Sequence, residues 1–217
     1  AYQKYNVERK ILFPKKYHYR AANTKDVILG MKDLVNKANK LKKNSKNKKI
    51  LDIGCNDGSL LDLFKKKNFK TFGVEPTNAY KEAQSKGHTV YNNYFDYKFS
   101  NFLKKKIKKV DIITFTNVFA HIENFKNLIK DLKNLITNNT VLIIENHYFA
   151  EVIKKKQFDT FYHEHPRTYS LNSFYKISGL LNIDILKYNF VRRYNGNIRV
   201  FLGKSLYKKN NKKLKKD

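Results

Sequence analysis

The chain has 217 residues, in which 46 lysines and arginines face 18 aspartates and glutamates, so its formal net charge is +28. A hydrophobic fraction of 41% excludes disorder throughout, and a single cysteine excludes a disulfide framework or a cysteine-cluster zinc site. No apolar run approaches the roughly 20 residues that span a bilayer, and the first residues lack a signal-peptide core. The sequence therefore predicts a soluble, cytoplasmic globular protein and leaves its oligomeric state open.

The positive charge is spread along the chain in short lysine runs, and only six of the basic residues are arginines. Nucleic-acid partners are not expected from this pattern, because base reading and bidentate phosphate contacts rely on arginine. A field of this sign would instead attract an anionic small molecule, such as a nucleotide-linked substrate. An RNA-binding or RNA-modifying protein that uses the basic surface is the alternative from another functional class.

In chain order, residues 1–24 show little periodicity, and apolar residues at helical spacing then predict a helix over 25–41. We assign 1–45 to an N-terminal helical cap. From residue 50 to about 203, short apolar strands alternate with amphipathic helices, which is typical of βαβ units in a parallel sheet with helices on both faces. The predicted strands are 50–53, 71–74, 89–91, 110–116, 141–145, 183–190 and 198–202. The predicted helices are 60–66, 78–86, 125–136, one after Tyr148, and 173–180. The domain is thus 46–203, and the basic tail 204–217 is predicted to be disordered.

A glycine loop follows the first of these strands. Gly54 lets the backbone approach a ligand, Gly58 opens the next helix, and Asn56 between them tolerates a positive φ angle. Taken alone, this loop is equally consistent with an ordinary turn between a strand and a helix.

The second strand strengthens the case for a nucleotide-type ligand. It ends at Glu75-Pro76, which places a carboxylate about 20 residues after the loop, where doubly wound folds bind ribose hydroxyls. No Gly-Lys-Ser/Thr follows, so the loop is not a P-loop. Asp52 and Asp57 would repel a pyrophosphate, whereas Asp52 and Glu75 suit the adenosine and the cationic sulfonium and amine of S-adenosylmethionine (SAM). The residues therefore favour SAM over a dinucleotide.

Four segments together resemble one family: LDIGCNDGSLL (51–61), GVEP (73–76), NVFAHIEN (117–124) and FDTFYHEHPRTYSL (158–171). They look like class I SAM-dependent methyltransferases and, within that fold, like the C-methyltransferases that act on nucleotide-linked deoxysugars. The glycine loop is generic to methyltransferases, whereas the Tyr-His-Glu-His segment with its flanks is specific to this family. The resemblance covers about 17–203 and implies an α/β, Rossmann-like, seven-stranded class I methyltransferase sheet.

The resemblance also implies a role for each matching residue. The glycine loop would hold the methionine part of SAM, Glu75 the ribose, and the segment after the third strand the adenine. The end of the fourth strand would line the sulfonium. The implied cofactor-binding residues are Asp52, Gly54, Asn56, Gly58, Glu75, Pro76, Phe95, Asp96, Asn117, Val118 and His121. The implied catalytic residues are Tyr162 and His165, which act in proton abstraction, with Glu164 as a supporting carboxylate.

This sequence departs from the family at both ends. The relatives carry a cysteine-rich zinc-binding domain before the methyltransferase region and a second αβ domain after it. Neither is present here, so the sequence is either part of a longer protein or a minimal member with a different acceptor. The departure leaves the acceptor open and does not affect the cofactor.

Carbon methylation requires a base that removes a proton next to a carbonyl group. Histidine suits that role because its pKa lies near neutrality, and a tyrosine hydroxyl can stabilise the developing oxyanion. Glu164 would fix the tautomer of the His165 imidazole if it reached a ring nitrogen. Two alternatives are a packed aromatic loop with no catalytic role and a metal site. The metal site would use His163 and His165 with Glu164, joined by His121 or His147, and it is the less favoured.

The sequence thus predicts a SAM-dependent methyltransferase that acts on a sugar, by carbon methylation of a nucleotide-linked keto-deoxysugar with His165 as the base. The alternative enzyme is a saccharide O-methyltransferase in which His165 deprotonates a hydroxyl. No metal is predicted, and the sequence leaves open which sugar is methylated and at which atom.

Overall fold

The computed structural model describes residues 1–43 and 45–205, so most of the predicted disordered tail lies outside the described residues. The described chain forms a seven-stranded sheet. Its strands are β1 (Lys49–Ile53), β2 (Lys70–Val74), β3 (Thr89–Tyr91), β4 (Ile112–Thr116), β5 (Val141–His147), β6 (Asp184–Val191) and β7 (Asn197–Gly203). Their order is β3-β2-β1-β4-β5-β7-β6, in which β1 to β5 are parallel and β7 runs antiparallel between β5 and β6.

Helices cover both faces of the sheet, as the alternating pattern predicts. They are α1 (Arg9–Leu12), α2 (Lys25–Leu41), α3 (Ser59–Lys65), α4 (Ala79–Ser85), α5 (Tyr97–Ile107), α6 (Phe125–Leu135), α7 (Phe149–Lys154) and α8 (Leu171–Leu181). One apolar cluster packs α2 and α3 against one face, and a second packs α5, α6 and α8 against the other. The predicted α/β class and the two-sided arrangement are therefore confirmed. No helix within 1–43 and 45–205 is long and apolar enough to cross a membrane.

Helix α2 belongs to the layer that covers the sheet. Its buried residues are Val27, Met31, Leu34, Val35 and Ala38, and they pack into the same cluster as α3 and the central strands. The apolar stripe at helical spacing thus buries one face of α2 in the core. The boundary near residue 45 between a cap and the main domain stays a prediction.

A buried ionic network joins α2 to the last strands. Arg199 of β7 donates from Nε to Glu145 Oε2 at 2.6 Å, from Nη1 to Asp33 Oδ2 at 2.7 Å and from Nη2 to the Gly30 carbonyl at 2.9 Å. Because the Arg199 and Glu145 side chains are both fully buried, each needs a counter-charge within the protein, and the 2.6 Å contact between them supplies one to both. This contact fixes β5, β7 and α2 relative to one another below the cavity described next.

Two helices were not predicted, the four-residue α1 and the longer α5. Helix α5 begins after Asp96, whose side chain accepts a hydrogen bond from the Phe99 backbone N–H at 3.0 Å and so caps the helix. It buries Ser100, Leu103 and Ile107, a narrow face in a segment that otherwise looks like a lysine-rich linker.

Candidate active site

A cavity of about 780 Å³ lies at the carboxyl ends of β1, β2, β4 and β5. In doubly wound sheets ligands bind at this edge, where neighbouring strands diverge. All predicted cofactor-binding residues except Gly58 line the cavity, and so do Tyr162, Glu164 and His165. The fold therefore brings together side chains from 52–121 and from 162–165, while their roles stay predictions.

The glycine loop adopts the left-handed backbone conformation at three positions, with φ of 72° at Gly54, 50° at Asn56 and 80° at Gly58. A Cβ atom at Gly54 would lie 2.5 Å from Val118 Cγ2, so glycine is required for the loop to approach β4. The Asn56 backbone N–H donates to Glu75 Oε2 at 2.9 Å. Its side chain binds the Ala21 N–H and the Tyr19 carbonyl, both at 3.0 Å. Asn56 thus links the loop both to β2 and to the residues before α2.

Gly58 is the one predicted cofactor-binding residue that does not line the cavity. A Cβ atom there would lie 2.9 Å from both Ala83 Cβ and His88 Cδ2. The missing side chain therefore makes room for α4 to pack against the start of α3. Gly58 shapes the loop from behind and is not placed to hold the methionine part of SAM.

The Glu75 carboxylate is buried and accepts hydrogen bonds from the glycine loop and from the residues that follow β2. Oε2 accepts from the Asn56 N–H, and Oε1 accepts from the Thr77 N–H at 3.0 Å and from the Thr77 hydroxyl at 2.7 Å. A carboxylate has about four acceptor positions, so these three bonds leave one position for a ligand hydroxyl. The remaining acceptor position therefore fits a ribose hydroxyl, and the three bonds from the chain already fix the carboxylate in position.

Asp52 lies one strand away and is also buried. Its register partner Thr114 on β4 donates a hydroxyl hydrogen bond to Oδ1 at 2.6 Å. Burial raises the pKa of the Asp52 carboxyl to about 7, with a smaller contribution from the Glu75 charge, while the Thr114 bond acts in the opposite direction. A positively charged group in the cavity would favour the ionised form of this carboxyl.

This pKa predicts a pH effect on stability. The folded-state pKa lies above the ordinary value of 3.8, so the folded chain binds more protons than the unfolded chain between about pH 4 and 7. The free energy of unfolding should therefore fall as the pH rises through that window. Asp52→Asn keeps the acceptor for Thr114 and removes the titration, so its stability relative to wild type should improve by a few kcal/mol, in order of magnitude, from pH 5 to pH 8. Urea unfolding of both proteins at the two pH values tests this, and parallel pH dependences would contradict it.

Two predicted adenine contacts lie at the other end of the cavity. Phe95 is nearly buried and packs edge-to-face on Phe115, with ring centroids 5.9 Å apart. Asp96 lines the cavity, and its Oδ1 caps α5. Asp131, an α6 carboxyl in the same wall, was not predicted from the sequence, and burial raises its pKa to about 6.

His165 has a defined tautomer. Its Nδ1 lies 3.0 Å from the Thr160 carbonyl oxygen, which can only accept, so Nδ1 carries the proton. Nε2 is therefore the unprotonated nitrogen, and it accepts a hydrogen bond from the Tyr162 hydroxyl at 3.4 Å. Burial, assisted by the neighbouring His121, lowers the pKa of His165 to about 4. The imidazole is consequently neutral at physiological pH, with its basic nitrogen at the cavity.

Glu164 does not have the predicted role of tautomer-fixing carboxylate. Its Oε2 accepts from the Tyr17 hydroxyl at 3.2 Å, and its backbone carbonyl is bonded to His121 Nδ1. The side chain points towards the N-terminal residues because the turn that begins at Tyr162 carries His165 back towards Thr160. The Thr160 carbonyl takes the place that was predicted for the carboxylate.

Two further histidine rings flank His165, with centroid distances of 5.0 Å to His121 and 5.2 Å to His147. Burial lowers the pKa of both, to about 4 for His147. His163 is exposed and does not line the cavity, so the structure separates the predicted alternative pair His163 and His165. Among the residues described, no three His, Cys, Asp or Glu side chains are grouped so as to hold a metal ion.

Residues 1–24, the N-terminal segment, form another wall of the cavity. Gln3 donates from its backbone N–H to the Pro166 carbonyl at 2.8 Å and from Nε2 to the Tyr162 carbonyl at 2.7 Å. Arg9, Phe13, Tyr17 and Tyr19 line the cavity beyond this point. Of these, only the stretch around Tyr17 has a sequence signal, because Tyr17-His18-Tyr19-Arg20 resembles the stretch before the family's SAM domain.

A seven-stranded sheet with an antiparallel β7, a glycine loop after β1, an acid after β2 and a cavity across the carboxyl ends define a class I SAM-dependent methyltransferase. A family model described as a methyltransferase domain matches residues 24–186. The chain belongs to this methyltransferase-domain family.

Individual relatives agree with this class. The chain is 25% identical over 183 residues to the C-methyltransferase NovU of Streptomyces niveus, covering 82% of this chain and 43% of that relative's length. A SAM-dependent methyltransferase from Clostridium acetobutylicum has a TM-score of 0.63 at 16% identity, over 82% of this chain and 92% of that one. Magnesium protoporphyrin IX methyltransferase from Synechocystis, with bound SAM, has a TM-score of 0.58 at 14% identity, over 90% and 89%. At these identities the two structures show a shared fold.

Proposed function

We propose that the protein methylates a carbon atom of a nucleotide-linked keto-deoxysugar, using SAM as the methyl donor and His165 as the base. The observation that carries the proposal is the neutral His165 imidazole, whose unprotonated Nε2 faces the Tyr162 hydroxyl in the same cavity as the glycine loop. The family resemblance of the Tyr-His-Glu-His segment supports it, and so does the similarity to a relative named as a C-methyltransferase. Because this chain spans less than half of that relative, the activity of the whole protein is part of the proposal.

The cavity residues fit SAM by their chemistry. Asp52 and Glu75 supply two buried carboxyl groups for a ligand that carries a cationic centre and a ribose. We assign the methionine part to Gly54 and Asn56, the ribose to Glu75 beside Pro76, and the adenine to the wall formed by Phe95 and Asp96. Asn117, Val118 and His121 would lie along the sulfonium. When bound, SAM supplies an electrophilic methyl group.

His165 and Tyr162 have different roles in the proposed proton transfer. His165 accepts the proton from the carbon next to the acceptor carbonyl at Nε2, while the Thr160 carbonyl holds the Nδ1 proton and so stabilises the imidazolium that forms. The Tyr162 hydroxyl would donate to the developing enolate oxygen. Burial raises the pKa of Tyr162 to about 12, so it stays a neutral donor at physiological pH. The low pKa of His165 keeps the imidazole unprotonated over the same range, and it also makes the ring a weaker base than the near-neutral histidine that the sequence predicts.

A hydrogen-exchange experiment separates carbon from oxygen methylation. A nucleotide-linked keto-deoxysugar is incubated with the protein in D₂O, with S-adenosylhomocysteine (SAH) in place of SAM. Carbon methylation predicts that deuterium enters the carbon next to the carbonyl, at a rate well above the protein-free control, and NMR or mass spectrometry detects it. His165→Gln should abolish this exchange. Methyl transfer to a hydroxyl without exchange would instead establish the saccharide O-methyltransferase.

The same proposal places the enzyme in the cytoplasm, where a free thiol such as that of Cys55 stays reduced.

A further inference from the structure

A buried arginine forms the wall of the cavity next to the histidine cluster, and two of its side-chain nitrogens have no hydrogen-bond partner in the part of the chain that the structure describes. Arg193 lies between β6 and β7, is only 7% exposed, and lines the cavity together with Tyr19, His147 and Tyr194. Its Nε and Nη1 atoms are buried and donate no hydrogen bond within the described chain. Its ionic contact is Nη1 to Glu145 Oε1 at 3.4 Å, close enough for an ion pair without hydrogen-bond geometry. Unpaired donors on a buried cation are costly unless a ligand satisfies them.

Glu145 does not need Arg193 as its counter-charge. Arg199 already donates to Glu145 Oε2 at 2.6 Å, and Asn197 Nδ2 approaches Oε1 at 3.4 Å. Two guanidinium groups thus share one buried carboxylate, and Asp33 binds the far side of Arg199 only. Arg193 therefore has no carboxylate of its own, and its buried Nε and Nη1 donors are left for an anionic ligand group.

The backbone around Arg193 is built to hold it at this wall. The next three residues all have positive φ: 50° at Tyr194, 58° at Asn195 and 140° at Gly196. Such a run is strained for the two non-glycine residues and persists where the surroundings fix it. Gly30 of α2 faces the side chain, and a Cβ atom there would lie 2.9 Å from Arg193 Cδ. The absence of a side chain at Gly30 thus leaves the space that the Arg193 side chain occupies.

We propose that Arg193 is an anion-binding residue of the cavity, which takes carboxylate or phosphate oxygens of a bound ligand. The inference rests on the proposed function, which offers two sources of such oxygens. One is the amino-acid carboxylate of SAM, and the other is the diphosphate of a nucleotide-linked acceptor. The hydroxyls of Tyr19 and Tyr194 are hydrogen-bonded to each other at 3.1 Å in the same wall, which leaves one of the two protons for donation to the same group.

The first arm of the test compares two cofactor-type probes by calorimetry. SAH carries the carboxylate, and 5′-methylthioadenosine lacks the whole amino-acid part. If Arg193 binds the cofactor carboxylate, Arg193→Gln should weaken SAH about 10- to 100-fold and leave methylthioadenosine unchanged. Arg192→Gln is the matched control, because it removes the same charge from an exposed neighbour.

The second arm measures the binding of a nucleoside diphosphate, with and without saturating SAH. If Arg193 holds the acceptor diphosphate, Arg193→Gln should weaken this probe by a similar factor while both cofactor probes bind as in wild type. Arg192→Gln corrects for attraction by the general basic surface.

A second variant distinguishes a loss of ligand binding from a loss of folding. Gly30→Ala adds helix propensity to α2 and crowds the Arg193 side chain, so it should lower the affinity of the same probe without lowering the unfolding temperature. Wild-type affinities for every probe in Arg193→Gln would overturn the inference. Failure of wild type to bind SAH would instead overturn the proposed function, and the nucleoside diphosphate arm without SAH would still decide the role of Arg193.

Discussion

Replacing His165 by glutamine should lower kcat about 100- to 10,000-fold, which is the range that a positioned general base contributes. The loss follows from the geometry of the ring. Nδ1 is committed to the Thr160 carbonyl, so Nε2 is the one ring nitrogen able to accept a proton at the cavity. A glutamine side chain is close in length and polar, but it cannot take up the proton. Steady-state kinetics with a nucleotide-linked keto-deoxysugar would measure the effect.

The affinity for SAH should stay close to that of wild type in His165→Gln, because the proposed cofactor residues lie at and after the ends of β1 to β4, outside the segment that carries His165. His163→Gln is a matched control, since His163 is exposed two positions away and should retain activity. Tyr162→Phe should lower kcat by a smaller factor, because it removes a hydrogen bond to the oxyanion and not the base. A His165→Gln protein that turns over at the wild-type rate would contradict the assignment of the base.

Glu75→Gln should weaken SAH binding by about 10- to 100-fold, as expected for the loss of hydrogen bonds to a charged acceptor. The carboxylate accepts three hydrogen bonds from the chain and has one position left for a ribose hydroxyl. An amide has a single oxygen, so its NH₂ group would face either the Asn56 N–H or the Thr77 N–H. The variant thus loses acceptors for both the loop and the ligand. Calorimetric titration with SAH measures the affinity.

Thr77→Val distinguishes these two effects. It removes the 2.7 Å hydroxyl bond to Oε1 and leaves the carboxylate itself intact. If Glu75 contacts the ligand, Glu75→Gln should weaken SAH far more than Thr77→Val at comparable losses of unfolding temperature. Equal affinity in wild type and Glu75→Gln would refute the placement of the cofactor, and equal weakening in both variants would restrict Glu75 to supporting the loop.

The sheet was predictable because its signals are local. Each strand is a short run of apolar residues bounded by turns, and all seven predicted strands occur with small shifts, such as β4 beginning at Ile112 and β5 extending to His147. Helix α5 escaped prediction because only a narrow face is buried, while Lys104 to Lys106 dominate its last turn. Its clearest signal was Asp96, a helix N-cap that resemblance had assigned to the cofactor.

The site was predictable in its residue types and less so in its contacts. Glu75, His165 and the glycine loop follow from spacing and resemblance, since these depend on chemistry that side chains carry. The Thr160 carbonyl could not be inferred, because any residue supplies such an oxygen and only the folded turn directs it at Nδ1. The position of Arg193 could not be inferred either, because its burial depends on contacts with α2 and β5 that no local sequence pattern indicates.

The chain's single cysteine lies inside the glycine loop, at Cys55, where it is 4% exposed. A Cβ atom at Gly73 would lie 2.5 Å from its Sγ, so the sulfur is tightly packed against β2. Burial, together with the charge of Asp52, raises the pKa of this thiol, which suppresses the reactive thiolate. Alkylation of the Cys55 thiol therefore requires that the loop first detach from the sheet. The rate of modification by a thiol reagent consequently reports how often the ligand-binding loop opens, with one label per molecule and no engineered cysteine.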